Sequence, residues 1–449
     1  MSDAFAREPR WDPKIFPPAA NAPRVVQTAR MLSNPQGYGL SLRRRLGPVF
    51  SLRMFPYRGA LVCATDPTSI RAVLTDQDRF VGGEAASFLA PAVGAGSLIC
   101  TPPPRHLRNR KLLLPPFHGK RIARWSERIQ VSVENELPGL LGEGGGPVRA
   151  WAQRLTIDVI LQVVFGVSDP ARLAVFRDAL NEFVGMGNLT VLSLPKPLQR
   201  DLGRYSPGGR FVRLRARVHA LLLEEISTRR AAPGADDVLS LLLEARDEHG
   251  VGLTDEEVRD ELAGLVMAGY ETTATTIAWV IHFLAHNPVA RDELIDDLDA
   301  GSDTLLKATI TEAMRLRPAV YSSIRTATRD TELGGRPVPK DAFVAALFSV
   351  THLDPELWPD PEAFRPQRHL DANVPPYSLT PFGGGVRRCI GTAMAQLEIE
   401  TVLRGVLKIA VPEPTGPLEA ARLMSVTIVP AKGGRVRMRG RALACQGES

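Results

Sequence analysis

The stretch Thr380-Pro381-Phe382-Gly383-Gly384-Gly385-Val386-Arg387-Arg388-Cys389-Ile390-Gly391 decides how the rest of the chain is interpreted. Three consecutive glycines predict a loop whose backbone approaches a bulky neighbour, because no Cβ stands in the way. Good helix formers follow from residue 393 to residue 400, so Cys389 lies where a glycine-rich loop enters a helix. The helix dipole and free N–H groups are expected to lower the pKa of the thiol and to stabilise a thiolate. Such a thiolate can act as a nucleophile or as a metal ligand.

The whole pattern of this loop is more specific than its cysteine. A lone cysteine at a loop–helix junction is usually inert, but here Phe382, Gly385, Arg387, Cys389 and Gly391 stand at set spacing. The arrangement resembles the haem-binding signature of the cytochrome P450 family. The resemblance implies haem b as cofactor, with Cys389 as axial ligand of the iron, Phe382 shielding the sulfur and Arg387 pairing with a haem propionate. Thiolate ligation favours O–O cleavage.

Length and composition indicate a large globular protein. The chain has 449 residues, of which 44% are hydrophobic and 23% charged, and no Ser/Gly-rich or charged linker divides it. We therefore expect one domain over residues 1–449, with an irregular segment at 1–24 and a disordered tail at 441–449. The expected fold is mostly α with small β-sheets, and the resemblance implies the cytochrome P450 fold with a long central helix over the haem.

Charge, cysteine usage and hydropathy indicate the compartment of the protein and the partners that it does not bind. A net charge of +6 and a pI near 9.3 are mildly basic and do not indicate nucleic-acid binding. Four cysteines, at 63, 100, 389 and 445, form no C-x-x-C, which argues against a disulfide framework or zinc site and favours a reducing compartment. There is no signal-peptide core and no apolar run of about 18 residues. We expect a cytoplasmic monomer without a membrane anchor, similar to soluble bacterial family members.

A second motif, His106 and Arg110, lies upstream. The two residues are four apart and share a helix face, a spacing that by itself is also typical of a solvated basic surface. It resembles the His-x-x-x-Arg of the family, in which both side chains hold a haem propionate. The prolines at 102–104 depart from the acidic residue or glycine that often precedes the histidine, and they leave the helix start undefined. Arg325 stands where the family places another propionate contact.

The longest predicted helix starts near residue 253 and ends at about His286. Thr254 and Glu257 form a capping-box pattern, and Asn287-Pro288 stops the helix. Its middle is unusual, because Gly269 costs about 1 kcal/mol relative to alanine and a buried glutamate needs partners.

Residues 268–272 of this helix resemble the acid–alcohol pair that the family places over the haem, where the helix opens to admit O2 and water. The segment contains Ala268 and Gly269, then Glu271 as the acid and Thr272 as the alcohol; glutamate is a common variant of aspartate there. The resemblance implies that Glu271 moves between solvent and the site as a proton carrier and that Thr272 donates hydrogen bonds in the site. The simpler interpretation is a packing glycine, a solvated glutamate and a threonine that bonds back to a carbonyl.

A third pattern involves Glu312 and Arg315, which can pair on one helix face. Glu-x-x-Arg is normally a surface pair, but followed by Leu-x-Pro it resembles the buried structural pair of the family. Its third member would be Arg368, in the sequence Pro361-x-x-Phe364-x-Pro366-x-Arg368. Such a network has to be complete, since breaking a buried pair costs roughly 3–5 kcal/mol.

Together the motifs imply a haem-thiolate monooxygenase that inserts one oxygen atom from O2 into a lipophilic small molecule. The electrons would come from NAD(P)H through a ferredoxin-type donor and its reductase, because the 449 residues contain no G-x-G-x-x-G or flavin domain. An acidic ferredoxin is expected to dock around the Cys389 loop. The candidate docking residues are Arg105, Arg108, Lys111, Lys120, Arg121 and Arg388.

Two alternative functions remain open. One is an H2O2-driven peroxygenase, in which the family replaces the acid–alcohol pair and a basic residue meets the substrate carboxylate. The other is a non-catalytic haem protein that binds or senses a ligand. The presence of Glu271 and Thr272 argues against the first and, less decisively, against the second.

The expected substrate pocket is mostly apolar, which favours terpenoids, steroids or fatty-acid-like molecules over charged ones. Residues 81–100 show no sustained period and are expected to form a loop over the active site, and residues 185–197 to form a lid. The pocket candidates are Phe88, Leu89, Val93, Leu192, Leu265, Val266, Val320, Tyr321, Ile324, Met424 and Val426.

Overall fold

A computed structural model describes residues 3–441, apart from residues 118, 142–144, 168, 188–190, 192–198, 204, 235, 372 and 425. Helices dominate these ranges, as the composition and motifs predict. Single 3₁₀ turns cover Glu84–Leu89, Pro115–Phe117, Leu137–Leu140, Pro366–His369 and Gly385–Arg387. The α-helices are α1 (Asp3–Arg7), α2 (Arg24–Ser33), α3 (Pro35–Leu46), α4 (Pro67–Thr75), α5 (Ala90–Val93), α6 (Arg105–Leu113), α7 (Lys120–Glu136), α8 (Val148–Val163), α9 (Pro170–Gly187), α10 (Pro207–Ala231), α11 (Val238–Glu244), α12 (Asp255–His286), α13 (Pro288–Asp299), α14 (Thr304–Leu316), α15 (Phe348–Thr351) and α16 (Thr392–Ile409).

The β-strands are short and form small sheets. The largest has the order β1-β2-β8-β5-β3, with β2 and β8 parallel and its other neighbours antiparallel. The remaining sheets have the orders β4-β12-β9, β10-β11 and β6-β7. The strands are β1 (Val49–Leu52), β2 (Leu61–Ala64), β3 (Phe80–Val81), β4 (Gly146–Pro147), β5 (Ser323–Ala327), β6 (Thr331–Leu333), β7 (Arg336–Val338), β8 (Phe343–Ala346), β9 (Ala410–Pro414), β10 (Ala421–Met424), β11 (Thr427–Pro430) and β12 (Arg435–Gly440).

Helix α12 runs through the centre of the core. The predicted capping box is confirmed: Glu257 N donates to Thr254 Oγ1, and Thr254 N donates to Glu257 Oε2. From residue 273 to residue 285 every side chain is buried, because α12 packs against α8, α10 and α16 and against the sheets beside them. A helix that is covered on all sides is expected to be apolar all round. The polar and accessible positions near the middle of α12 depart from this expectation.

The expectation of a loop at residues 81–100 was wrong. The segment contains β3, the 3₁₀ turn Glu84–Leu89 and α5, elements too short to show a sustained hydrophobic period. Helix α11 is short: Asp237 caps its start, and Ala245, directly after its end, adopts an extended backbone. The Asp247 carboxylate then accepts hydrogen bonds from His249 N and Val251 N, which favours a turn over a helix.

The N-terminal segment is more ordered than expected. Residues 1–24 include α1, and Phe5 is buried with its ring centroid 4.7 Å from that of Phe343. At the other end, residues 421–440 contain the strands β10, β11 and β12. Arg441, the first residue of the expected tail, pairs with Asp299 at 2.5 Å. Residues 442–449 and most of the predicted lid lie outside the described residues.

Hydropathy gives one further result. Within the described ranges, no helix is both long enough and apolar enough to cross a membrane. The cytoplasmic location stays a prediction.

Candidate active site

The glycine-rich loop approaches its neighbours as closely as the sequence predicts. Gly385 has φ +64°, and a Cβ at this position would collide with the Leu74 carbonyl oxygen. The backbone then makes one 3₁₀ turn, and Cys389 N donates to Phe382 O at 3.0 Å. Helix α16 begins three residues after Cys389, at Thr392. The loop therefore presents the cysteine at the start of a helix.

The Cys389 thiol is accessible, whereas the Cys63 and Cys100 thiols are buried. Surrounding protein atoms still desolvate the Cys389 thiol, and they raise its pKa above the ordinary value for cysteine. The backbone N–H of Gly391, the Thr392 hydroxyl and the guanidinium of Arg110 oppose this rise in the pKa. The net pKa is therefore raised rather than lowered as expected, because burial outweighs the hydrogen bond from the Gly391 N–H in the protein alone.

Cationic side chains from separate elements converge beside this thiol. Burial, followed by the charges of Arg387, Arg110 and Arg325, lowers the pKa of His106 to about 3, which shows that these groups face one another. The Nδ1 atom of His106 is buried and has no hydrogen-bond partner. Among the residues that the structure describes, no carboxylate lies within ion-pair distance of these arginines. The predicted residues are brought together into a positive cluster that lacks a counter-ion.

Backbone and hydroxyl oxygens hold the arginines of the cluster in place. Arg387 donates to Gly82 O at 2.7 Å, to Leu98 O at 3.3 Å and to Thr101 O. Arg110 Nη2 donates to Arg388 O at 2.7 Å. Arg325 Nη1 donates to Ser323 Oγ at 2.8 Å and to Ile324 O at 3.0 Å. None of these acceptors neutralises the positive charge.

The middle of helix α12 borders accessible space. Ala268 is exposed, and Gly269 and Thr272 are half-buried, although the helix around them is buried. Thr272 Oγ1 donates back to Ala268 O at 2.5 Å, as the simpler interpretation of the sequence predicts. Gly264, one turn before Ala268, lies against Ser97 and Ile99, next to the Leu98 carbonyl that binds Arg387. This part of α12 therefore lies close to the positive cluster.

Glu271 is held by neighbouring donors in this structure, so its predicted role as a mobile proton carrier requires the carboxylate to leave them. Its carboxylate is buried and accepts from Arg149 Nε at 3.0 Å and from Gln153 Nε2 at 2.8 Å. Thr275 Oγ1 also donates to it, at 3.2 Å. The sequence analysis missed Arg149 and Gln153, although two polar residues four apart on the helix before an apolar run were the available signal.

The buried network around Glu312 is present and larger than predicted. Arg315 binds both carboxylate oxygens, at 2.7 and 2.9 Å, and Arg368 Nε binds Oε1 at 3.0 Å. His369, which the sequence analysis missed, lies 2.8 Å from Oε2, and the backbone N–H of Arg365 donates to Oε1 at 2.9 Å. Burial by itself would raise the pKa of Glu312, but the hydrogen bonds from Arg315 and His369 lower it to about 2.

The pocket candidates divide into accessible and buried residues. Val93 and Val266 are only 1% exposed and pack within the core in this structure, so their place in the pocket stays a prediction. Val266 lies about 200° around the helix from Ala268, so only one of the two can face the opening. Leu192 lies outside the described residues. The candidates that remain partly accessible are Phe88, Leu89, Leu265, Val320, Tyr321, Ile324, Met424 and Val426.

Three of the four basic docking candidates whose side chains are described already have acidic partners. Arg105 binds Glu257 at 2.9 Å, and Arg108 binds Asp247 at 2.7 Å. Lys111, 75% exposed, lies 3.7 Å from Glu248. The side chains of Lys120 and Arg121 lie outside the described set, whereas Arg388 is exposed. The surface is therefore less positive than its composition predicts.

Comparisons with known proteins identify the family. The cytochrome P450 profile matches residues 17–409. The chain belongs to the cytochrome P450 family. It is 34% identical to a cytochrome P450 135B1 of Mycobacterium tuberculosis over 94% of this chain and 91% of that protein. It is 31% identical to a cytochrome P450 138 of the same organism, over 98% of this chain and all of that protein.

Solved structures agree on the fold of this P450. The retinoic-acid-bound cyanobacterial CYP120A1 superposes with a TM-score of 0.83 at 23% identity, covering 95% of this chain and 99% of that chain. The haem domain of cytochrome P450DA superposes with a TM-score of 0.80 at 24% identity, covering 95% and 98%. The predicted fold class is therefore confirmed. As a cytochrome P450, the protein is a haem-thiolate monooxygenase with haem b as its cofactor.

The described residues fit haem b. This group carries two carboxylates and takes a thiolate ligand. In the part of the chain that the structure describes, one thiol is accessible, and it lies beside arginines without a counter-ion and a buried His106 nitrogen without a partner. Charges of this kind are expensive to bury unless they are paired, so a carboxylate-bearing group would satisfy the cluster.

Proposed function

We propose that this P450 inserts one oxygen atom of O2 into an apolar small molecule of the terpenoid, steroid or fatty-acid-like class. The observation that carries this proposal is the accessibility of Ala268, Gly269 and Thr272 in the middle of helix α12, which is otherwise largely buried. The partly accessible pocket candidates are apolar apart from the Tyr321 hydroxyl, so burial of apolar substrate surface would provide the binding energy. The apolar Leu265 lies one turn before Ala268 on α12.

The cofactor would be held by residues from several elements. Cys389 Sγ would ligate the iron, with Phe382 against the sulfur. The cluster of His106, Arg110, Arg325 and Arg387 would pair with the two carboxylates, which removes the cost of burying unpaired cations. When bound, thiolate-ligated haem supplies the activation of O2. The protein would orient the substrate, exclude water and supply protons.

Thr272 and Glu271 would provide the protons. The Thr272 hydroxyl now donates to Ala268 O, and a rotation about χ1 would turn it toward the accessible space beside the helix. Glu271 is held by Arg149 and Gln153, so it could act as a proton carrier only after leaving these donors. We therefore assign direct proton donation in the site to Thr272 Oγ1. Glu271 would carry protons only after its carboxylate is released from Arg149.

Replacing Thr272 by alanine is expected to uncouple electron use from product formation. Thr272→Ala should keep the haem content and NADPH consumption, while product per NADPH falls roughly tenfold or more and H2O2 rises. The hydroxyl would no longer hold a proton at the site, although the helix remains. NADPH, product and H2O2 measured in the same reaction give the ratio.

Thr276→Ala is the matched control for this experiment. Thr276 Oγ1 makes the same kind of back-bond, to Thr272 O at 3.0 Å, but its residue is buried. If back-bonding is the whole role of Thr272, the two variants should behave alike. Full coupling in Thr272→Ala would return Thr272 to a structural role.

The proposed substrate class is tested by titrating the ferric protein with matched pairs of apolar and charged compounds. Apolar members should shift the Soret band with dissociation constants at least about tenfold lower, because each buried CH₂ contributes about 0.8 kcal/mol. Products from NADPH-driven turnover, compared with H2O2-driven turnover, then separate a monooxygenase from a peroxygenase. Preferential binding of the charged members would contradict the assignment of the substrate class.

An acidic ferredoxin is the electron donor that the surface best supports. Arg388 is exposed and close enough to influence the Cys389 thiol, and Lys111 has only a loose partner. Arg388→Glu should slow reduction by the ferredoxin about tenfold at low salt and less at high salt, since attraction between exposed charges is screened. Lys432→Glu, on the exposed turn between β11 and β12, is the control with the same charge change. Reduction rates that do not respond to ionic strength would count against this docking surface.

A further inference from the structure

Two buried carboxylates at the first part of helix α12 have no role in the chemistry proposed above. Asp260 is 7% exposed and Glu261 is 2% exposed, and both face the loop from Gly94 to Thr101. Gly96 N donates to Asp260 Oδ2 at 2.9 Å, and Leu98 N donates to Glu261 Oε2 at 2.9 Å. The loop is therefore attached to the helix through its backbone.

The loop and the helix approach each other too closely for larger residues. Gly94 has φ +86°, and a Cβ there would collide with the Asp260 carboxylate. A Cβ on Gly264 would collide with Ser97 Oγ from the other side. Glycine at both positions allows the carboxylates to reach the loop backbone.

Leu98 connects Glu261 to the positive cluster. Its N–H donates to Glu261, and its carbonyl accepts from Arg387 Nη1 at 3.3 Å, so one residue joins the two side chains. The other oxygen of Glu261, Oε1, accepts from Asn109 Nδ2 at 3.2 Å. Asn109 is fully buried on α6 and precedes Arg110 directly. Glu261 thus contacts α6, which carries His106 and Arg110, and Leu98, whose carbonyl binds Arg387.

The donors to Glu261 are neutral, which distinguishes it from its neighbours. Asp260 is bound by Arg259, at 3.0 and 2.7 Å, and Glu257 is bound by Arg105. Burial raises the pKa of Glu261 to about 7, against the hydrogen bonds from Leu98 and Asn109 that oppose the rise. A buried carboxylate without a cation is costly, so its geometry depends on these two donors.

We propose that Glu261 is a positioning residue, which holds Leu98 and Asn109 so that Arg387 and helix α6 present their cations to the haem carboxylates. The inference rests on the proposed roles of Arg387, His106 and Arg110 in holding the cofactor. It adds a residue that touches neither the haem nor the substrate, and its effect passes through the Leu98 peptide groups and the Asn109 amide.

The test measures the transfer of haem from the holoenzyme to excess apomyoglobin, well below the unfolding temperature. Glu261→Ala leaves two buried donors without an acceptor, and haem transfer should become about tenfold faster or more. Glu261→Gln keeps one acceptor oxygen for two donors, so an intermediate increase of about threefold is expected. In both variants, hydrogen exchange should rise in the peptide that contains Leu98.

Asp158→Ala is the matched control, because Asp158 is a buried carboxylate on α8 that binds Arg177 and not the loop. It should lower thermal stability without faster haem transfer. The proposal would be overturned if the Glu261 variants showed unchanged haem transfer and unchanged hydrogen exchange in the Leu98 peptide. If Glu261→Ala gives no holoprotein, the result for Glu261→Gln decides. The ferrous–CO spectrum reports thiolate ligation separately, so failure of the proposed function is distinguishable from failure of this inference.

Discussion

Cys389→Ser is expected to abolish both the red-shifted ferrous–CO band that gives the family its name and the coupled oxidation of substrate. Serine has the shape of cysteine but its hydroxyl is a poor thiolate substitute, so the electron donation that favours O–O cleavage is lost. The substitution should not unfold the protein, because the side chain is accessible and the Cys389 N–H bond to Phe382 O is made by the backbone. The measurements are the ferrous–CO spectrum, the haem content and product per NADPH.

Cys63→Ser provides the same chemical change at a distance from the proposed iron ligand. Cys63 is buried in β2, whereas Cys389 is accessible in its loop. The control should retain the wild-type spectrum. A wild-type protein that absorbs like a histidine-ligated haem protein, or a Cys389→Ser protein that keeps the red-shifted band, would show that Cys389 is not the ligand.

Arg315→Leu is expected to prevent accumulation of folded holoprotein. The Arg315 and Glu312 side chains are both 0% exposed, and Arg315 also donates to His352 O at 2.7 Å and Pro361 O at 2.8 Å. Removing the arginine leaves Glu312 buried with fewer cations, at a cost of roughly 3–5 kcal/mol. Since proteins have about 5–15 kcal/mol of total stability, we expect a large loss in yield and in the midpoint of thermal unfolding.

Arg365→Leu is the matched control for that experiment. The Arg365 side chain pairs with Asp360 at 2.9 Å, but the two side chains are 57% and 64% exposed. An exposed pair contributes less than about 1 kcal/mol, so this variant should accumulate as holoprotein. Its backbone N–H to Glu312 is unaffected by the substitution. Equal behaviour of the two arginine variants would mean that the buried network does not carry the stability assigned to it.

The candidate site was predictable where its residues act through local spacing. The loop of residues 382–391 and the pair His106 and Arg110 each lie within ten positions, so backbone geometry decides how their members are arranged. The structure places Cys389 at a helix entrance and the pair on one helix, as predicted. Residues 81–100 were not predictable in this way, because their 3₁₀ and α turns are too short to produce a period.

By itself, the sequence determined the family signature, the long helix with its capping box, and the residue types of the site. Only the tertiary structure decided which side chains meet: Arg149 is 122 positions from Glu271, and His369 is 57 positions from Glu312. The sequence does not indicate which carboxylate either partner meets, because any lysine, arginine or histidine has a side chain that can pair with a buried carboxylate. Helix packing decides which side chains pair. Helix α8 lies against the middle of α12 and brings Arg149 to Glu271. The same packing holds Glu271 in its buried position and leaves Thr272 beside the accessible space.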